Sequence, residues 1–181
     1  MNKRKVITLV VTVLLISLVC LGVYKVHDAK QWDPVENVVE SFLDGYKNNE
    51  KDINQYLMEG IESDEIVYNE SMKLFTKNID YKIKGHYTEG DNYFIETEIT
   101  NIDIKKLIEQ VAEQAKDIGK LSSSDEIIKS FTESKEKPMR TFDVDIQLVN
   151  INGKYLIVND QYFANALYGG LNEFVAEMIK E

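Results

Sequence analysis

Apolar positions along this chain fall into three kinds of run. From Val6 to Tyr24 no position carries a charge. From Val35 onward the apolar residues recur every three or four positions, as on one face of a helix: Val35, Val38, Val39, Phe42, Leu43 and Tyr46. Asp33, Pro34 and Glu36 supply a cap, a first helical residue and a capping box, so the spacing predicts a helix from Asp33. Gly45 and Asn48-Asn49 mark its end. A short helix is predicted over Asp52 to Met58, and a third from about Asp64 to Lys77 with Val67, Tyr68, Met72 and Phe75 inward. The period then drops to two. Ile79, Tyr81, Ile83, Gly85 and Tyr87 alternate with Asp80, Lys82, Lys84, His86 and Thr88. Turn residues Glu89 to Asn92 follow, and then Tyr93, Ile95, Thr97 and Ile99 alternate with Phe94, Glu96, Glu98 and Thr100. Together the two runs predict a hairpin.

Helical spacing returns after Asp103, which is placed as an N-cap, with Ile104, Leu107, Ile108, Val111, Ala112, Ala115 and Ile118 on one stripe. Gly119 and three serines break it. Ser123 to Glu126 forms a second capping box before a shorter helix bearing Ile127, Ile128 and Phe131, and Pro138 ends the helical stretch. Phe142, Val144, Ile146 and Leu148 then alternate with Asp143, Asp145 and Gln147. Asn152-Gly153 is a strong two-residue hairpin signal, leading to a last strand over Lys154 to Val158. One closing helix is predicted from about Asp160, with Phe163, Ala166, Leu167, Leu171, Phe174, Val175 and Met178 inward, and with Gly169-Gly170 loosening it or allowing close packing. No internal repeat is present. Helices, hairpin, helical pair, hairpin and helix in that order make an α+β plan, an antiparallel sheet covered by helices on one face.

The uncharged run changes the picture of where this plan is housed. Its 19 residues, as a helix rising about 1.5 Å each, match the hydrocarbon thickness of a bilayer. Lys3, Arg4 and Lys5 precede it, which favours a cytoplasmic N-terminus and an extracytoplasmic remainder. The leading expectation is an uncleaved single-pass anchor in the cell membrane: tail 1–5, transmembrane anchor 6–26, linker 27–32 and outer domain 33–181. A cleaved secretory signal is a weaker alternative, because no A-x-A site follows. Lipidation at Cys20 is another; Val19 is bulkier than the small residue that precedes a lipidated cysteine.

Composition narrows the function classes. The chain has 181 residues, ordinary apolar content and two Pro, which excludes collagen-like and disordered classes. One Cys cannot form an internal disulfide, and one Cys with two His cannot fill a usual zinc ligand set. The net charge is -10 overall. Residues 1–26 hold four basic and no acidic residues, so the rest is still more acidic. Such a surface repels phosphates, and nucleic acid is not an expected partner. No Gly-x-Ser-x-Gly elbow, phosphate loop, His-Glu-x-x-His motif or calcium loop occurs, and no metal or cofactor is expected.

The strand faces carry the remaining candidate chemistry. One face of the sheet is aliphatic and aromatic. The other is expected to carry Lys82, Lys84, His86, Glu96, Glu98, Asp143 and Asp145, paired across neighbouring strands and wet, with His86 exposed. Tyr81, Tyr87 and Tyr93 fall on the apolar side, and Tyr46 and Tyr155 join them there. Aromatic walls with hydroxyl tips would suit a small amphipathic ligand, though an aromatic core with hydroxyls at its rim fits the same pattern. If the chain were an enzyme, Asp80, His86 and Asp160 would be its candidate acid/base groups.

Four segments, in order, resemble the NTF2-like (cystatin-like) superfamily, especially the membrane-attached and lipoprotein-type members of Gram-positive bacteria. They are Asp33 to Leu43, resembling the opening helix; Thr97 to Asp103, a strand leading into an inserted helical pair over about 103–137; Asn152 to Ile157, a terminal hairpin with Tyr155 where Trp is common; and Asn165 to Leu171, the closing helix. The resemblance implies a cone of curved sheet wrapped around a long helix. Some members use the cone as an enzyme pocket, and others fill it and use the sheet as a contact surface. No catalytic motif of the isomerase or dehydratase members is matched. The expected function is a membrane-anchored extracytoplasmic binding or interaction module with a protein or small-molecule ligand, able to form a homo-oligomer. The alternatives are a scaffold subunit of a secretion or conjugation machine, of the VirB8 type, and a small-substrate isomerase or dehydratase.

Overall fold

A computed structural model describes residues 31–58, 76–117, 134 and 136–180. Helix α1 occupies 31–48. A 3₁₀ turn follows at Ile53–Tyr56, then strands β1 (Asp80–Glu89) and β2 (Asn92–Ile102), helix α2 (Ile104–Asp117), strands β3 (Met139–Ile151) and β4 (Lys154–Ile157), and helices α3 (Gln161–Leu167) and α4 (Leu171–Met178). The strands form one antiparallel sheet in the order β1-β2-β3-β4. The α+β plan is therefore seen, but the expected fold class as a whole needs correcting. Among the described residues no helix is long and apolar enough to cross a membrane. The helices there are amphipathic; α2, for example, exposes Lys105, Lys106 and Glu109 on one side while burying Leu107 on the other. The run at 6–24, including Cys20, lies outside the described residues. So do most of the third predicted helix and the second helix of the predicted pair.

Helix α1 supplies one side of the core. Trp32, Val35, Val39, Phe42, Leu43 and Tyr46 are buried, and they recur at helical spacing on one face. Residues 31 and 32 are already helical, so Asp33 lies inside the helix and does not cap it. At the other end Asn49 takes φ 57°, and Glu50 N donates to Gly45 O at 2.9 Å, a left-handed stop of the kind asparagine tolerates. The sheet faces it with Ile95 and Ile99 of β2, Val144, Ile146 and Leu148 of β3, and Ile157 of β4, and Ile53, Leu57, Ile79, Phe163, Ala166 and Leu167 complete the core. The alternation of the strand residues with exposed neighbours matches the period-two reading.

Two departures shape the rest. The closing helix is two helices. Gly169 and Gly170 take φ 61° and 87°, a left-handed pair that ends α3 and starts α4 in a new direction. Gly169 is also pressed against the end of β2. Its carbonyl accepts from Ile104 N at 3.1 Å, and a Cβ there would overlap the Ile102 carbonyl oxygen. The second departure is in β1, where the register with β2 shifts between Ile83 and Gly85. One extra residue in a strand moves every later side chain to the opposite face.

Candidate functional site

The side of the sheet that faces α1, where a pocket would lie, is filled. Phe42 packs on Phe163 with ring centroids 5.6 Å apart and on Tyr46 at 6.3 Å. All three are at most 1% exposed. Polar groups in this region are tied to the backbone. The Tyr46 hydroxyl donates to Leu167 O at 3.2 Å, and Asn101 Nδ2 donates to the same oxygen at 2.8 Å. Asn101 Oδ1 accepts from Ile102 N at 2.8 Å. These bonds satisfy buried polar groups that would otherwise each be penalised by about 1–3 kcal/mol.

The rim between α1 and β1 holds the one histidine–carboxylate pair found among the described residues. Because of the shift at Gly85, His86 points to the core side. The expectation of an exposed His86 is therefore corrected: its ring stacks on Trp32 with centroids 4.2 Å apart, and Nδ1 lies 2.9 Å from Glu36 Oε1. Trp32 meets Tyr93 edge-on at 5.7 Å, and Tyr93 meets Tyr155 edge-on at 5.1 Å. The Tyr155 hydroxyl beside it raises the Tyr93 phenol above its ordinary range. Helix α1 thus reaches the sheet through a train of four rings, with Glu36 beside it.

The same shift sends Tyr87 to the outer face. There it stacks on Phe94, 4.8 Å apart and 7° from parallel, and its hydroxyl donates to Asp145 at 3.1 Å. Of the five tyrosines expected around one pocket, Tyr46 is core, Tyr81 sits at the α1–β1 rim, Tyr93 and Tyr155 share the ring train, and Tyr87 is across the sheet. The Tyr81 hydroxyl donates to Asp44 Oδ1 at 3.0 Å. Partial burial, and then that carboxylate, push its phenol well above the usual range. The three acid/base candidates do not meet. Asp80 is exposed and 3.7 Å from Lys47 Nζ. Asp160 caps α3, accepting from Tyr162 N and Phe163 N at 2.9 and 2.8 Å. Only His86 has a carboxylate partner, and that partner, Glu36, carries no sequence signal beyond its place in an apparent capping box.

The outer face carries the lysines and carboxylates expected of it, without His86 and with a different pairing. Lys84 meets Glu98 at 2.5 Å, an ion pair that raises the lysine's pKa. Between β2 and β3, however, Glu96 faces Asp145 and Glu98 faces Asp143, like charges opposite one another. Among the described residues no group of three His, Cys, Asp or Glu is arranged to hold a metal ion.

No family model, no curated protein and no solved structure matches this chain. The resemblance drawn from the four segments receives no support from these comparisons.

Proposed function

We propose that the chain is a non-catalytic binding module whose working surfaces lie outside its core. The observation that carries this reading is the filled space between α1 and the sheet, where Phe42, Tyr46 and Phe163 occupy the room a substrate would need. His86 lies flat on Trp32 with Glu36 at Nδ1, so its contacts join α1 to β1. Asp160 spends its carboxylate on a helix cap, and Asp80 stands in water.

Benzene is a suitable probe, because an apolar cavity left in a core takes it up. Ligand-observed NMR on the full chain should show no benzene binding and no rise in melting temperature. Phe42→Ala should acquire both, and Phe163→Leu offers a milder cavity if the first variant does not fold. Binding by the unmodified chain, at the level of either variant, would reveal an open interior and end this reading. Membrane association through residues 6–24, with the rest of the chain extracytoplasmic, is proposed from the sequence. Recovery of the chain in the soluble fraction after cell lysis would contradict it.

A further inference from the structure

The left-handed pair at Gly169 and Gly170 leaves an open cleft between α3 and α4. Its volume is about 430 Å³, and its lining is Gln161, Tyr162 and Asn165 from α3 with Asn172, Glu173 and Ala176 from α4. That volume falls inside the range of about 300–1,000 Å³ typical of small-molecule sites. The cleft shares no residue with the ring train around His86 or with the filled core.

Its chemistry is specific. Tyr162 is 74% exposed, and its side chain makes no hydrogen bond or ring contact within the described residues. A tyrosine ring held out to solvent in this way offers an apolar face with a polar tip. Three carboxamides surround it. Each presents a donor and an acceptor on one planar group, the pattern that matches neighbouring hydroxyls. Asn165 is held in place: its Oδ1 accepts from Glu173 N at 3.0 Å, and its main-chain oxygen accepts from Gly170 N at 2.8 Å. The side chains of Gln161 and Asn172 have no partner within the described residues. Glu173 is already paired with Arg140 at 2.9 Å, so the described residues of the lining offer no unpaired charge to an ionic ligand. The excess of acidic residues over the whole chain further disfavours anions. Among the described residues Ala176 is the lone aliphatic side chain in the lining, which offers little to receive the apolar anchor of a peptide.

We propose that this cleft is a binding subsite for a neutral glycan, with Tyr162 as the platform for one sugar ring and the amides of Gln161, Asn165 and Asn172 as its hydroxyl partners. The inference rests on the binding-module reading and names its ligand class. The test is saturation-transfer NMR and titration calorimetry on the full chain with three probes at millimolar concentration: cellohexaose, chitohexaose and maltohexaose. At least one should bind. Tyr162→Ala should weaken it about tenfold or more, a loss of about 1.4 kcal/mol, while Tyr162→Phe keeps most of the affinity. Asn172→Ala should also weaken it. Because Tyr162 and Asn172 are exposed, these variants should keep the parent's circular dichroism. Absence of binding to all three probes, or binding indifferent to both alanine changes, overturns the proposal. Either failure leaves the benzene result for the core standing, because the two sites have no residue in common.

Discussion

Gly169→Ala and Gly90→Ala make the same chemical change at nearly the same backbone angle, φ 61° and 60°. Their surroundings differ completely. A Cβ at Gly90 would have nothing within 4 Å. Alanine there should lose only the left-handed penalty, about 1–2 kcal/mol. A Cβ at Gly169 would overlap the Ile102 carbonyl oxygen, with the carbonyl carbon at 3.1 Å and Ile104 Cγ1 at 3.4 Å. Backbone cannot swing aside as the tip of a side chain can. Relief requires the α3–α4 corner to move away from β2. That movement breaks the bond from Ile104 N to Gly169 O, which is worth about 0.5–1.5 kcal/mol. It also disturbs the packing of Leu167 and Ile102, each at most 1% exposed, at about 1–3 kcal/mol for such a shift. Together with the left-handed penalty, Gly169→Ala should lose about 3–6 kcal/mol, a large part of the roughly 5–15 kcal/mol that holds an ordinary domain. Urea unfolding can be followed by fluorescence, because the chain has a single tryptophan, Trp32, and it is buried against the sheet. The midpoint should fall far more for Gly169→Ala than for Gly90→Ala, with similar slopes. Equal shifts would show that the close approach to Ile102 has no energetic weight.

Two further predictions separate structural carboxylates and phenols from idle ones. Asp160→Ala should destabilise the chain by about 1 kcal/mol through loss of the α3 cap, whereas Asp80→Ala, at an exposed ion pair, should change the urea midpoint hardly at all; a reversed order would contradict both assignments. Tyr81 should ionise after the other exposed tyrosines in an alkaline absorbance titration, and Tyr81→Phe should remove that late step. Because folding raises its pKa, the stability Tyr81 contributes is present below about pH 10, its unfolded value, and is lost as pH climbs through the folded one. A Tyr81 that titrates with the rest would show that neither burial nor Asp44 holds its proton.

How far the sequence can be read depends on whether a signal is local. Asn152-Gly153 takes φ 55° and 86°, the turn that dipeptide prefers, and it fixes the β3–β4 register. Asp103 accepts from Lys106 N at 3.1 Å, as an N-cap should. Both outcomes are decided within four residues, and both are legible. The break in the closing helix is not, because the hydrophobic stripe from Phe163 to Met178 runs unbroken through Gly169-Gly170. The left-handed pair answers to contact with Ile102, far away in the chain, as well as to the local bond from Gly170 N to Asn165 O. Nor is Trp32 legible as a core residue. It precedes the apparent cap at Asp33, and its burial depends on His86 arriving from β1. The cleft lined by Tyr162 has no sequence signal at all, since a lone tyrosine among amides reads as ordinary surface.

The most consequential departure turns on one residue. Strict alternation places Tyr87 inward and His86 outward, and that would have built an aromatic pocket with no imidazole near it. The shift between Ile83 and Gly85 exchanges them. A glycine inside an otherwise alternating run is the available warning of a bulge. The energetic reason for the exchange is visible on both sides of the sheet. Inward, His86 gains a stacked indole and a carboxylate partner on α1. Outward, Tyr87 gains a parallel ring on Phe94 and gives its hydroxyl to Asp145, a carboxylate that otherwise faces only the like charge of Glu96. Without the shift, the imidazole would stand among lysine and carboxylates in water, and Trp32 would lose the ring that covers it. The bulge therefore fastens α1 to the sheet with the residue that looked most like a catalyst. That is why the chain's candidate chemistry is better sought in its outer clefts than beneath the sheet.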